Sequence, residues 1–225
     1  MLKSTALSFS RRRASLAVLS AIMSFLSWSS HGQTPEEVEI LEKLLPTHCY
    51  HSGYFIQSHF KKRVSKPMVS YGRFLFSCRH GLIWQIKRPI DETLIYPLAE
   101  APTRLYQDTL KTLDDKVQTQ IGELLNQLIG GNTDFISKNF SVSASAEAAI
   151  LTPKRFRMKK ALSNIEIHRS GAEVSIELHK KNGDRSQLSI SEPNVMQTID
   201  LDQCISNQLV PERACQILLS DKPLK

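Results

Sequence analysis

Four sets of residues have the types and spacing that chemistry needs. Ser58-x-x-Lys61 carries the spacing of a serine nucleophile with a lysine base. That pair works with its serine at the start of a helix, whereas Ser58 lies in a segment that reads as a strand. His48, Cys49 and His51 offer imidazole and thiolate donors close together. A usable metal site needs further ligands and a reduced thiol, so no metal is assigned. His59, His80, His168 and His179 are spread over separate strands and turns and read as surface groups. The chain holds no nucleophile elbow, no phosphate loop and no His-x-x-x-His pair. It is therefore read as a non-enzyme with no cofactor.

The fourth set is apolar. Phe55, Phe74, Phe76, Leu82, Trp84, Ile86, Leu94 and Tyr96 form a candidate lining, joined further on by Ile165, Ile167, Val174, Ile176 and Leu178. Such a surface suits hydrocarbon. Each methylene taken from water contributes ~0.8 kcal/mol, so one long acyl chain yields on the order of 10 kcal/mol before losses. The same residues suit an ordinary core, and composition by itself reads as core. A basic stretch follows, Lys154, Arg155, Arg157, Lys159 and Lys160. Its two readings are contact with anionic headgroups or an acidic partner, and a solvated strand edge on which lysines discourage pairing; the edge is the plainer one.

The elements that must position these residues follow from periodicity. Thr34 with Pro35, Glu36 and Glu37 makes a capping box with proline at the first helical position. Val38, Leu41, Leu44 and Leu45 then share one face, which predicts a helix over 35–46. Strands are expected at 53–63, 69–79, 81–87 and 93–98, with Arg79-His80-Gly81 closing a hairpin. Alternation there predicts a sheet with one buried face. Val117, Ile121, Leu124, Leu125, Leu128 and Ile129 recur at helical spacing over 114–129, and Gly130-Gly131 stops the run. A short helix is expected at 133–138. Strands resume at 164–169, 173–180 and 187–191, the last two joined through Asn182-Gly183. The tail 201–219 reads as irregular or helical. The fold class is α+β, one antiparallel sheet with helices gathered on one side.

The N-terminus sets the compartment. Lys3, Arg11, Arg12 and Arg13 precede an apolar run from Ala14 to Trp28, and small residues around Ser30 and Gly32 suit a signal peptidase. Cleavage near Gly32–Gln33 leaves residues 33–225 as one periplasmic domain. It removes four basic residues and no acidic one, so the net charge of +7 falls to +3. That mild value gives no reason to expect nucleic acid, and the protein is read as a monomer. In an oxidising compartment Cys49, Cys78, Cys204 and Cys215 are expected to form disulfides. Cys204 and Cys215 are close, separated by a loop with Pro211, and are paired here; Cys49 with Cys78 follows by elimination.

Several stretches in this order resemble the LolA family, the periplasmic carriers of outer-membrane lipoproteins. They are Gly53-Tyr54-Phe55-Ile56-Gln57, Ser70-x-Gly72-x-Phe74-x-Phe76, Gly81-Leu82-Ile83-Trp84 with Pro89, Leu151-Thr152-Pro153-Lys154, and Asn182-Gly183-Asp184-Arg185-Ser186. The resemblance covers most of residues 35–192. It implies an incomplete antiparallel barrel, a half-barrel open along one side and covered by helices. It also implies a cavity for the acyl chains of lipoprotein or lipid cargo, taken from an inner-membrane release transporter and passed to an outer-membrane acceptor. Val117, Ile121, Leu124 and Leu128 would then form a lid. The family's lid-latching arginine falls nearest Cys78, which gives Arg79 that role by resemblance. A glycolipid or other hydrophobic envelope product is an alternative cargo. A periplasmic interaction protein with a self-filled barrel is the alternative without cargo.

Overall fold

The computed structural model describes residues 35–46 and 48–220. The expected export segment and the expected capping residue Thr34 lie outside the described residues. Helix α1 spans Pro35–Leu44 and is followed by a meander of six strands: β1 Tyr50–Phe60, β2 Met68–Ser77, β3 Gly81–Arg88, β4 Glu92–Pro97, β5 Thr103–Tyr106 and β6 Thr109–Thr112. Helices α2, Lys116–Ile129, and α3, Thr133–Asn139, come next. A second meander holds β7 Phe140–Ser145, β8 Ala148–Pro153, β9 Leu162–Ser170, β10 Glu173–Lys180 and β11 Arg185–Met196, with a short helix α4, Phe156–Ala161, between β8 and β9. Helices α5, Leu201–Ser206, and α6, Glu212–Leu219, end the described chain.

All the strands form one sheet in the order β6-β5-β4-β3-β2-β1-β11-β10-β9-β8-β7. Every pairing is antiparallel. The two meanders meet where β11 lies against β1, and β6 and β7 remain as unjoined edges. This is the open antiparallel sheet, covered by helices, that the resemblance implies. The order has a direct consequence for the helices. Because β6 and β7 are opposite edges, the chain between them must pass from one edge to the other, and that connection is α2 with α3.

The inner face carries Phe55, Phe74, Phe76, Leu82, Trp84, Leu94 and Tyr96 from the first meander. Ile165, Ile167, Val174, Ile176, Leu178, Leu188 and Ile190 come from the second. Leu41 and Leu44 of α1, Leu45 just after it, Leu124, Leu125, Leu128 and Ile129 of α2, and Ile136 of α3 complete this core. Helix α1 sits over β7, β8 and β9, while α2 sits over β4.

The outer face corrects the expectation of one buried side. Leu75, Ile83 and Ile95, on successive strands, are fully buried under Val210, Ala214, Leu218 and Leu219 of the C-terminal segment. Arg73 locks that segment down: its Nε donates to Gln85 Oε1 at 2.7 Å and its Nη1 to the Gln208 carbonyl at 2.7 Å. The basic stretch is also not a strand edge. Phe156–Ala161 is a short helix between β8 and β9, and none of its residues is buried.

The disulfides join Cys49 to Cys78 and Cys204 to Cys215. The first ties the entry of β1 to the end of β2. The second staples α5 to α6. With sequence separations of 29 and 11, loop closure gives about 4 and about 3 kcal/mol. Reducing Cys204–Cys215 is expected to free α5 and α6 while leaving β9–β11 paired. Hydrogen exchange should show amides over 201–219 losing protection first. Unchanged protection there after confirmed reduction would show that the apolar seat alone holds the pair.

Candidate functional site

The floor of the inner face is an aromatic platform. Phe55 and Trp84 stack with ring centroids 3.7 Å apart and planes 16° apart, and Phe74 lies 6.0 Å from Trp84. Gly72 makes the stack fit, since a Cβ there would sit 2.4 Å from the Phe55 ring and 2.0 Å from the Gln85 carbonyl oxygen. His51 continues the platform, with Phe76 and Phe74 at 5.1 and 5.7 Å.

Helix α2 forms the roof over this half. Leu124 and Leu128 are buried against the platform's cluster and Ile121 is half-buried against it; the side chain of Val117 lies outside the described residues. Two glycines let the helix come close. A Cβ on Gly122 would sit 1.9 Å from the Tyr96 ring, and one on Gly130 would sit 2.5 Å from the Phe76 ring. Gly131 takes a φ of 60°, the left-handed turn that ends the helix. Tight seating of this kind is carried by shape, not by backbone pairing.

Few polar ties hold α2 to the sheet. Arg104 on β5 donates to Gln118 Oε1 at 3.0 Å and pairs with Glu92 at 3.3 Å. Asp115 caps the helix by accepting from the Gln118 backbone N–H at 3.1 Å. On the other half, Arg169 of β9 donates to the Leu44 carbonyl at 3.1 Å, holding the C-terminus of α1. Arg79 is exposed in the β2–β3 turn, and no hydrogen bond joins its side chain to α2 or α3 among the described residues. Arg104 and Arg169 do reach helices, one at the first turn of α2 and the other at the end of α1.

Buried titratable groups on this face are held neutral. His51 is fully buried, with Nδ1 2.9 Å from the His48 carbonyl. Burial pushes its pKa from the ordinary 6.5 down to about 4. Burial likewise pushes the Tyr96 hydroxyl above its usual range, with the Glu92 carboxylate adding to the effect. Both groups are therefore uncharged at neutral pH.

The structure thus brings twelve of the named lining residues together at no more than 5% exposure, with Ile86 half-buried at the rim. Leu188, Ile190, Leu151, Phe140 and the leucines of α1 share the same cluster and were not anticipated as lining. Gly122 was missed as well. A glycine inside an amphipathic helix costs about 1 kcal/mol relative to alanine, which is a legible sign of close packing. Ser58 lies on β1 and Lys61 in the turn after it, with no helix between them. His168 and His179 meet on the outer face beside Glu166 and Glu177, with His179 3.3 and 3.0 Å from the two carboxylates. No cluster of three or more metal-ligating side chains exists among the described residues, and none of their helices is long and apolar enough to cross a membrane.

No family model and no curated protein matches the chain. Among solved structures, it is similar to the Pseudomonas aeruginosa MucA/MucB complex at 11% identity, covering 80% of this chain and 62% of that one, with a TM-score of 0.38. It is similar to a DUF1329 family protein from Desulfovibrio piger at 7% identity, covering 78% and 98%, with a TM-score of 0.43. It is also similar to a LolA superfamily protein from Nitrosomonas europaea at 10% identity, covering 79% of this chain and 97% of that one, with a TM-score of 0.41.

Proposed function

We propose that the inner face is a binding seat for acyl chains and that the protein is a periplasmic carrier of lipoproteins or related lipids. One observation carries this reading. The apolar face of an eleven-stranded open sheet is covered by helices that add no strand to it. Lifting α2 therefore breaks side-chain contacts and a few polar ties, and no hydrogen bond of the sheet. An acyl chain entering beneath it replaces leucine contacts with methylene contacts, so the exchange is nearly balanced and needs only a few kcal/mol of differential binding. The same burial favours the rival reading, a self-filled interaction protein, because the lining and the helices already satisfy one another.

Fatty-acid titration separates the two. A saturable change in tryptophan emission is expected, because Trp84 lies in the seat. Trp84→Asp should weaken uptake at least tenfold, by roughly the cost of an unpaired charge against hydrocarbon. Native mass spectrometry of the gently purified protein should then show a co-purified lipid and its class. Absence of saturable binding for every lipid tried would leave the self-filled reading standing.

A further inference from the structure

One end of the sheet gathers connections that are distant in sequence. Phe60 stands opposite Arg185, His59 opposite Met68, and Tyr71 opposite Arg88, so the β1–β2 loop, the β10–β11 turn and the β3–β4 turn share this end. The Lys62 backbone N–H donates to Asp184 Oδ1 at 3.1 Å, tying the loop to the β10–β11 turn. The Lys181 backbone N–H donates to the Ala161 carbonyl at 3.0 Å, tying that turn to α4.

This end is strongly basic. The β1–β2 loop carries Lys61, Lys62, Arg63 and Lys66, all exposed. Helix α4 and the residue before it add Arg155, Arg157, Lys159 and Lys160, also exposed. Neither segment, 61–67 nor 154–161, contains a carboxylate. The nearby acids are engaged: Asp184 by Lys62 and Asn182, Glu177 by Arg185, and Asp91 by Lys87. Lys61, Lys62, Lys180 and Arg185 line one hollow together. The positive field reaches inward, where Lys180 and Lys61 reinforce the effect of burial in lowering the His59 pKa.

Apolar side chains stand out among these charges. Phe156 is 72% exposed, with the Lys160 ammonium 4.6 Å from its ring centre. Val64, Met68 and Ile90 are each more than half exposed at the same end. Clustered like charge lowers stability, and an exposed phenylalanine adds none. Basic residues interleaved with protruding apolar ones match the interfacial zone of an anionic bilayer, where phosphates meet acyl chains.

We propose that this end of the sheet docks on an anionic lipid surface. Lysines and arginines of the β1–β2 loop, the β10–β11 turn and α4 contact phosphate headgroups, and Phe156, Val64 and Met68 enter the interface. Docking uses the end of the sheet and not the inner face, so it stands or falls apart from acyl-chain uptake.

Flotation with vesicles tests it. The protein is expected to float with mixed phosphatidylcholine and phosphatidylglycerol vesicles and not with pure phosphatidylcholine. About 1 M salt, which shortens the screening length to ~3 Å, should release it. Reversing two charges, Lys159→Glu with Lys160→Glu, should weaken binding at least about tenfold, and Phe156→Ala about tenfold. Reversal at the other end of the sheet, Lys43→Glu with Arg79→Glu, should leave it unchanged. Circular dichroism checks that each variant folds, and all five positions are exposed. Equal flotation with neutral and anionic vesicles, or none with either, would overturn the proposal. So would retention on immobilised polyglutamate without vesicle binding, which would assign the rim to an acidic protein surface.

Discussion

Gly122→Leu is expected to unseat α2 while the strands stay paired. The Tyr96 ring occupies the space a side chain at 122 needs, with its nearest atom 1.9 Å from the Cβ position. Tyr96 cannot yield easily, since it is 5% exposed and faces the inner cluster. Overpacking of this kind costs about 1–3 kcal/mol. Most of that cost is avoided if the helix moves outward, because no sheet hydrogen bond depends on it. The variant should bind a hydrophobic dye strongly and load fatty acid faster than the wild type, with its far-ultraviolet circular dichroism unchanged. Tyr96→Ala in the same chain should restore low dye binding by vacating the ring's volume. A Gly122→Leu protein with wild-type dye binding would mean that α2 is fixed core and that the sheet adjusts instead.

Lowering the pH from 7 to 4 is expected to destabilise the protein by about 3 kcal/mol through His51 alone. Its pKa is 6.5 when unfolded and about 4 when buried. Between those values the unfolded chain binds a proton that the folded chain does not, so stability rises with pH across the window. The contribution is whole above about pH 6.5 and is lost as pH falls toward 4; the gap of two to three units sets its size. His59, also lowered, acts in the same direction. The environment of His51 supplies no compensating carboxylate: its neighbours are Phe74, Phe76 and the backbones of His48 and Ile129. Urea unfolding at pH 7, 5.5 and 4 measures the slope, and His51→Phe should flatten most of it. An equal slope in that variant would place the acid sensitivity in the carboxylates.

Local signals made much of this fold legible. Leucines at helical spacing placed α1 and α2, Gly130-Gly131 placed the end of α2, and Asn182-Gly183 placed the β10–β11 turn. Each of these rests on neighbours in sequence, where period and turn chemistry act directly. Strands β5 to β8 were not anticipated. β5 and β6 are four residues each, and Phe140–Ser145 with Ala148–Pro153 are built largely of serine and alanine. Residues of weak strand preference become strands only when a partner edge is present, and the partner is set by topology.

The sequence by itself determined the alternation of the inner face, the cysteines available for pairing and the glycines that permit close approach. Only the tertiary structure decided which faces are covered. Leu75, Ile83 and Ile95 alternate with the lining residues, and the local pattern was read as one buried face, yet the outer side is covered too. What covers the outer side is α5 with α6, a segment more than a hundred residues downstream of those strands. The same holds for the basic end, where residues 61–66, 155–160 and 180–185 meet through strand register. Period and propensity act over one or two turns, whereas register and the edge-to-edge connection through α2 and α3 bring together positions that share no local signal.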